Sequence, residues 1–401
     1  MTKVLGANPV GDFVRGHDFK LLIGGDLVDA AGGETFATID PSTGEQLTEV
    51  PSAGREDVER AVAAGQAAKD AWWDLGVAGR SEVFARLETV IRESRVRLAA
   101  LDAVDGGMPF SAMDFDIEIS LQNIRDWPYL VRFHGGRTIP ASPGNLHYTS
   151  SSPYGVVGKI IPFNHPAMFA ITRVLPALIA GNTVILKPAQ QTPLSALALG
   201  EIVREVFPPG VMNILSGGAE AGDALVVHPD VKRISFTGSV PTGLRIQQRA
   251  ATSAVKHLSL ELGGKNPMII FPDVDVEEAV AGAMKGMNFG ICSGQSCGSN
   301  SRVFVHEDRY EEFLERIGAV AEAMRVGPAY DEGTEMGPVV TREHHERVLG
   351  YMTAGLEEGA RLITGGGRPE NGGVPDGGFY LRPTVFGDVR PEMKISREEI
   401  F

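Results

Sequence analysis

Short apolar runs alternate with longer amphipathic segments from residue 156 onward. The apolar runs predict strands, because runs of about four to eight apolar residues between turn signals are typical of buried strands. These predicted strands lie at residues 156–163, 183–186, 211–215, 233–236 and 258–260. Helices are predicted at 166–180, at 192–208, after 215 and after 241. This alternation predicts an α/β fold with a doubly wound parallel sheet whose two faces are covered by helices.

The segments on either side of this region have their own patterns. Residues up to 50 predict short strands and turns, and two amphipathic helices are predicted after them. The second of these helices is predicted to end at Gly106-Gly107, because glycine favours a helix C-terminus. Its apolar face is formed by Val83, Phe84, Leu87, Val90 and Ile91.

A second alternation begins near residue 266, with strands predicted at 268–271 and 303–305 and helices at 310–324 and 343–358. Residues 134–152 are rich in glycine, proline and serine, and they predict an arm that leaves the first domain and returns. We therefore expect a first domain of residues 1–133 and 153–258, a small arm of residues 134–152, and a second α/β domain of residues 259–401.

Composition and charge exclude several classes of protein. A hydrophobic content of 43% and a charged content of 22% are typical of a soluble globular protein. The net charge of −14 argues against nucleic acid or an anionic membrane as a partner, because both bind clustered lysines and arginines. The sequence shows no signal peptide or membrane span, and its two cysteines form no disulfide framework. We therefore expect a cytoplasmic protein.

Candidate chemistry begins where two predicted strands end. Gly238 and Ser239 lie at a strand-to-helix turn, where glycine permits close backbone approach and a helix N-terminus suits a phosphate. Lys187 ends another strand, at the carboxyl edge where ligands of such sheets bind. Taken singly, a plain glycine turn or a solvated lysine explains these residues as well. Their shared position favours a nucleotide site.

Cys297 is the candidate nucleophile. Small and polar residues surround it in Gly294-Gln295-Ser296-Cys297-Gly298, which suits a loop beside a substrate better than a core. The alternative is an inert buried cysteine, and the context of Cys292 fits that alternative better. No histidine lies at ligand spacing from either cysteine, so no metal site is predicted.

Glu261 and Asn164 complete the candidate chemistry. Glu261 follows an apolar run and precedes Gly263-Gly264, and a carboxylate drawn toward an apolar site suits a general base. A glutamate in water at the end of a strand is the alternative. Asn164 follows the strand predicted at 156–163, and its amide suits a developing oxyanion. A helix N-cap before Pro166 is the alternative there. A thiol, a carboxylate and an amide are the groups needed to form and hydrolyse a thioester, which points to aldehyde oxidation.

These residues lie in motifs that resemble those of the aldehyde dehydrogenase superfamily, along essentially the whole chain. The motifs are Pro162-Phe163-Asn164, Lys187-Pro188, Phe236-Thr237-Gly238-Ser239, Glu261-Leu262-Gly263-Gly264-Lys265, Gly294-Gln295-Ser296-Cys297, Gly337-Pro338 and Glu399-Ile400-Phe401. The resemblance implies a dinucleotide-binding domain, a catalytic domain and a bridging arm for the three predicted parts. It also implies that Cys297 is the nucleophile, Asn164 the oxyanion donor and Glu261 the base that activates water.

The resemblance further implies an NAD(P)-dependent oxidation of an aldehyde to a carboxylic acid. Lys187 would hold the adenosine ribose, Gly238 and Ser239 the pyrophosphate, and Glu399 with Phe401 the nicotinamide end. The remaining residues expected at the cofactor are Ile160, Pro162, Phe163, Gln190, Gly218, Phe236 and Leu262. Gln190 stands where many NAD-preferring members carry a glutamate, which allows NADP beside NAD.

Three expectations concern the whole protein. The family continues beyond the position that matches Phe401, so we expect a fragment of a longer chain whose catalytic domain is incomplete here. The full-length parent is expected to form a homodimer or homotetramer, as the family does. Rival hypotheses are a semialdehyde or phosphorylated-aldehyde dehydrogenase of the same superfamily, and a truncated relative without catalytic activity.

Overall fold

The computed structural model describes residues 13–370 and 373–401. Its largest sheet has seven strands in the order β11-β10-β7-β8-β9-β1-β2. Strands β7 to β11 run parallel to one another, whereas β1 pairs antiparallel with both β9 and β2. The strands of this sheet are β1 (Leu21–Ile23), β2 (Asp26–Val28), β7 (Val156–Ile160), β8 (Thr183–Lys187), β9 (Met212–Ile214), β10 (Val231–Gly238) and β11 (His257–Leu262).

The register of the parallel strands aligns their carboxyl ends. Ile160 at the end of β7 lies opposite Lys187 on β8 and opposite Phe236 on β10. Gly238 at the end of β10 lies opposite Leu262 at the end of β11. We call this side of the sheet the carboxyl edge. It gathers five of the predicted cofactor residues because parallel strands all end on the same side.

Eight further strands form two-stranded sheets. They are β3 (Thr35–Ile39) with β4 (Gln46–Pro51), β5 (Thr138–Ile139) with β6 (His147–Tyr148), β12 (Pro267–Ile270) with β13 (Arg302–Val305), and β14 (Arg361–Thr364) with β15 (Val385–Gly387). The pair β12–β13 is parallel and the other three pairs are antiparallel.

Helices follow most of the parallel strands, as the alternation predicts. They are α1 (Arg55–Asp74), α2 (Gly76–Glu93), α3 (Arg95–Gly106), α4 (Phe110–Leu130), α5 (Pro166–Thr172), α6 (Leu175–Ile179), α7 (Leu194–Val203), α8 (Ala219–Val227), α9 (Val240–Ala250), α10 (Val276–Gly286), α11 (Phe289–Cys292), α12 (Tyr310–Ala323), α13 (Arg342–Glu357) and α14 (Lys394–Arg397). The predicted α/β class is confirmed. None of the described helices is long and apolar enough to cross a membrane.

Several predicted helix boundaries are wrong. The helix expected at 166–180 is divided into α5 and α6, and Arg173 between them stacks its guanidinium 4.8 Å from the centre of the Phe169 ring. The helix expected to continue through residue 94 is divided at Ser94 into α2 and α3. Its predicted end is confirmed, because Gly107 closes α3 with a left-handed φ of 76° that favours glycine.

The hairpin of β5 and β6 lies within residues 134–152, and both of its strands are exposed. Strand β11 runs from residue 257 to residue 262, so the boundary expected between residues 258 and 259 falls inside a strand. The division into domains stays a prediction.

The main hydrophobic core packs the helices of the N-terminal half against the seven-stranded sheet, and it includes Cys292 from the C-terminal part. Among the described residues, three smaller clusters contain Phe313, Met352 and Tyr351, respectively. Burial of Cys292 in the main core anchors the short helix α11, which leads directly into residues 293–299. We call residues 293–299 the nucleophile loop.

Candidate active site

The nucleophile loop presents Cys297 on an exposed turn. The side-chain amide of Asn266 holds the loop, because its Nδ2 donates to the carbonyl of Cys297 at 2.7 Å and to that of Ser299 at 3.0 Å. Asn266 itself lies between β11 and β12. The thiol is therefore accessible while its backbone is fixed, which suits a nucleophile.

Asn164 is buried and is linked to the nucleophile loop. Its Nδ2 donates a 2.8 Å hydrogen bond to the backbone carbonyl of Gln295, two residues before Cys297. The Asn164 amide group carries two hydrogens, so one remains for another acceptor. The structure thus links Asn164 to the loop that carries Cys297, through Gln295.

Gln295 is the central residue of that unit. Its side chain is fully buried; Oε1 accepts from the Val340 N–H at 3.0 Å, and Nε2 donates to the Cys292 carbonyl at 3.0 Å. Sequence reasoning placed Gln295 in a motif without assigning it a role. A glutamine among small residues is a weak signal, and its partners lie on segments that only the fold brings together.

The second cysteine differs from Cys297 in its environment. Burial raises the pKa of the Cys292 thiol, and the nearby charges of Asp116 and Cys297 raise it further. Its sulfur lies 3.9 Å from the carbonyl oxygen of Asn288. Cys292 therefore remains a protonated thiol within the core, whereas Cys297 faces solvent.

Glu261 lies on β11 opposite Thr237, and its side chain is exposed. The expectation of apolar surroundings for this carboxylate is wrong, because β11 is the outermost strand of the sheet and has a neighbour on one side only. Within the described residues, no side chain contacts Glu261 at hydrogen-bonding distance. The structure does not join it to Cys297 or Asn164, and its role as the base stays a prediction.

Lys187 is buried at the carboxyl edge. Its Nζ donates to the carbonyl of Pro188 at 3.1 Å, and an ammonium group has three hydrogens to donate. Burial lowers the pKa of Lys187 from 10.5 to about 8. A buried cation with unused donors suits a polar ligand such as a ribose hydroxyl.

The turn between β10 and α9 leaves the helix N-terminus open. Ser239 begins α9 without capping its backbone N–H groups, and its Oγ lies 3.0 Å from Oγ1 of Thr242. A Cβ on Gly238 would lie 2.5 Å from Cζ of Phe236, so a side chain there would require the ring to move. Open N–H groups beside a glycine suit the close approach of a phosphate.

Two further pairs of predicted residues meet in the structure. A Cβ on Gly218 would lie 3.2 Å from Oε1 of Gln190, which places the glutamine side chain beside the start of α8. A Cβ on Gly243 of α9 would lie 2.8 Å from Cδ2 of Leu262, so Leu262 packs closely on that helix. Gln190 is exposed and therefore free to contact a ligand.

The C-terminal residues meet the loop that carries Asn164. The rings of Phe163 and Phe401 contact edge to face, with centroids 5.6 Å apart. Oε1 of Glu399 accepts from the Gly264 N–H at 3.1 Å, next to Leu262 and Gly263. Pro162 is half-buried in the same loop as Phe163. The motif residues predicted for the nicotinamide end therefore lie near one another.

The chain matches the aldehyde dehydrogenase family model over residues 27–401. The chain belongs to the aldehyde dehydrogenase family. The predicted family and fold class are confirmed, and at the family level so is the prediction of an NAD(P)-dependent aldehyde dehydrogenase.

Individual aldehyde dehydrogenases align along most of the chain. Aldehyde dehydrogenase tropH of Talaromyces stipitatus is 43% identical over 370 residues, which are 91% of this chain and 72% of that protein. Human mitochondrial aldehyde dehydrogenase is 40% identical over 388 residues, which are 95% of this chain and 74% of that protein. The structure of a Bacillus cereus aldehyde dehydrogenase in complex with NAD+ superposes with a TM-score of 0.93 at 40% identity, covering 98% of this chain and 79% of that one.

Proposed function

We propose that this chain oxidises an aldehyde to a carboxylic acid with NAD, through a thioester on Cys297. The observation that carries the proposal is the hydrogen bond from Asn164 to Gln295, which fixes an amide donor beside the loop of an exposed thiol. A thiol alone would also suit a redox sensor, but a fixed amide donor beside it suits acyl chemistry.

The thioester forms in two steps. The Cys297 thiolate attacks the aldehyde carbon, and the negative charge that develops on oxygen is stabilised by the second Asn164 N–H and by the Cys297 backbone N–H. One oriented donor at such an oxygen contributes about 3–4 kcal/mol to the transition state. When bound, NAD would supply the acceptor for the hydride that the adduct carbon must lose to become a thioester.

Hydrolysis of the thioester needs a base, for which we propose Glu261. Its exposed carboxylate has free access to water, and accepting a proton from a water molecule makes that water a better nucleophile. The water oxygen bonds to the thioester carbon, the carbon–sulfur bond breaks, and the thiolate of Cys297 is regenerated with release of the acid.

The residues at the carboxyl edge fit a dinucleotide. The unused donors of Lys187, the open N-terminus of α9 and the unsubstituted Gly238 are the features that a ribose and a pyrophosphate require. We assign Lys187, Gln190 and Gly218 to the adenosine end and Ser239 to the phosphates. The groove that would hold the dinucleotide along the carboxyl edge would be lined by Ile160, Pro162, Phe163, Phe236 and Leu262. Glu399 and Phe401 would lie at its nicotinamide end.

We also propose a cytoplasmic location, assembly of the protein as a homodimer or homotetramer, and the division of residues 1–401 into three parts. The substrate partner is a small aldehyde, and NADP is retained as a second cofactor because Gln190 carries no charge. None of these points affects the chemistry at Cys297.

The test is formation of reduced cofactor by this chain with aliphatic, aromatic and acidic aldehydes, using NAD and NADP in parallel. We expect turnover that is abolished in Cys297→Ala. In Glu261→Gln, we expect one rapid turnover of cofactor followed by slow release of acid. A folded chain that gives no turnover with any aldehyde, or a Cys297→Ala variant that remains active, would contradict the proposal.

A further inference from the structure

A half-buried histidine and a buried aspartate form a pair next to Asn164 in the chain. Nδ1 of His165 is 2.6 Å from Oδ2 of Asp116, and the two side chains are 15% and 3% exposed. Asp116 lies on α4, whereas His165 immediately precedes α5. The pair is thus formed between two elements that are distant in sequence, and the proposed mechanism gives it no role.

The surroundings of the pair place it near the nucleophile. Helix α4, which carries Asp116, packs against α11, the short helix that leads into the nucleophile loop. The His165 ring contacts the ring of Phe169 on α5 at 5.5 Å, with an angle of 73° between the planes. On the other side of Asn164, Phe163 faces Phe401 instead. His165 therefore contacts α4 and α5, whereas Phe163 contacts Phe401.

The contact with Asp116 determines which nitrogen of the imidazole carries a proton. A carboxylate only accepts hydrogen bonds, so Nδ1 of His165 must be the donor. In the neutral ring, Nε2 then carries a lone pair. No group in the described part of the chain occupies Nε2 at hydrogen-bonding distance, and the nitrogen is not fully buried. In that neutral form, the pair presents a fixed ring with one open acceptor at Nε2.

We propose that the Asp116–His165 pair selects the substrate, in that Nε2 of His165 accepts a hydrogen bond from a hydroxyl group carried by the aldehyde. The substrate class is therefore hydroxylated aldehydes. The inference rests on the proposed aldehyde oxidation and refines its substrate. Asp116 acts as a positioning residue, because it orients the ring without contacting the aldehyde.

Two substitutions separate substrate selection from a purely structural link. His165→Asn keeps a short amide N–H within reach of Asp116 but has no atom at the place of Nε2. His165→Gln extends an amide oxygen toward the place of Nε2 but loses the Nδ1 donor that binds Asp116. His17→Asn is the matched control, because His17 forms an equally short 2.6 Å pair with Glu201 away from the nucleophile loop.

The experiment measures kcat/KM of each variant for benzaldehyde and for the three hydroxybenzaldehydes, after thermal melting has shown that the variant is folded. We expect the wild type to prefer at least one hydroxybenzaldehyde over benzaldehyde by about tenfold, the change that one buried hydrogen bond produces. This preference should disappear in His165→Asn, persist largely in His165→Gln, and remain unchanged in His17→Asn.

The opposite results overturn the inference. A wild type without the preference, a His165→Asn variant that keeps it, or an equal loss in His165→Asn and His165→Gln would make the pair a structural link only. Aldehyde turnover would persist in those cases, so the proposed function would stand. If no aldehyde is oxidised at all, the same aldehydes are compared as protectors of Cys297 against iodoacetamide. If a hydroxybenzaldehyde protects Cys297 better than benzaldehyde does, and this difference is lost in His165→Asn, the result would support substrate selection by His165. Equal protection by all four aldehydes would contradict it.

Discussion

The side-chain amide of Asn164 donates a 2.8 Å hydrogen bond to the backbone carbonyl of Gln295, across 131 residues of sequence. Gln295 in turn binds the Cys292 carbonyl and the Val340 N–H through its own buried amide. The oxyanion donor and the nucleophile loop are therefore held by one connected set of hydrogen bonds. Because each member fixes the next, a change at Gln295 acts on the whole set.

We expect Gln295→Leu, which is similar in volume, to lower both stability and turnover. The substitution leaves the Val340 N–H unpaired inside the protein, which costs about 1–3 kcal/mol. The Cys292 carbonyl loses the bond from the side chain but still accepts the backbone N–H of residue 295 at 2.9 Å. Urea denaturation measures the loss of stability, and the kcat for any accepted aldehyde measures the displacement of Asn164. Gln191→Leu is the control, because Gln191 is exposed. Equal stabilities for the two variants would contradict the role assigned to Gln295.

The two cysteines are expected to react very differently with iodoacetamide. Burial keeps the Cys292 thiol protonated by raising its pKa, whereas Cys297 is exposed. We expect one rapid modification per chain, which is absent in Cys297→Ala and unchanged in Cys292→Ala. Mass spectrometry of the labelled chain locates the modification. Rapid labelling of Cys292 in the folded protein would show that the thiol is not buried as described.

The sequence and the fold contribute differently to this site. The alternation of strands was sufficient to place Lys187, Phe236 and Gly238 at one edge, because parallel strands share the side on which they end. The sequence left a solvated Glu261 open as an alternative but could not choose it, since local periodicity does not reveal that β11 is the outermost strand. The pairing of His165 with Asp116 was equally hidden, because 49 residues separate them and only the packing of α4 on α5 brings them together.

Gly238→Ala is expected to weaken NAD binding and to destabilise the carboxyl edge. The new Cβ would lie 2.5 Å from Cζ of Phe236, and accommodating such an overlap costs about 1–3 kcal/mol. Calorimetric titration with NAD and thermal melting measure the two effects. Gly350→Ala is the matched control, because a Cβ there meets nothing within 4 Å and lies in α13. The Gly350→Ala variant should be more stable than the wild type by about 0.5–1 kcal/mol and should bind NAD normally. Normal NAD binding by Gly238→Ala would remove Gly238 from the pyrophosphate site.

Gln190→Glu is expected to change the choice between NAD and NADP. Gln190 lies beside Gly218, at the end of the groove assigned to the adenosine ribose. A carboxylate there would gain a hydrogen bond to a ribose hydroxyl and would repel a 2′-phosphate. We expect the ratio of kcat/KM for NAD to that for NADP to rise by about tenfold or more. Gln191→Glu adds the same charge at the next residue, so it shows how much of the change comes from added negative charge alone. An unchanged ratio would place the ribose elsewhere.

Because Lys187 is buried, we expect the free energy of unfolding to depend on pH in a defined direction. Burial lowers its pKa from 10.5 to about 8, so between these values the unfolded chain binds more protons than the folded chain. The contribution of Lys187 to the free energy of unfolding therefore rises as the pH increases from about 8 to about 10.5. Below about pH 8 the lysine is charged in both states, and the folded protein is destabilised by the full cost of burying that charge. Lys187→Met removes the charge, so we expect it to be more stable than the wild type by roughly 3 kcal/mol near neutral pH.

The difference between wild type and Lys187→Met should shrink toward zero as the wild-type lysine becomes neutral, which urea denaturation at about pH 7 and about pH 10 measures. Taking the difference cancels the contributions of the other buried lysines, and Lys232→Met at an exposed position gives the baseline. NAD binding should weaken in Lys187→Met although the protein is more stable, because the donors to the ribose are lost. A difference in stability that stays constant across the pH range would mean that Lys187 keeps its proton, and that the cost of its burial is offset within the fold.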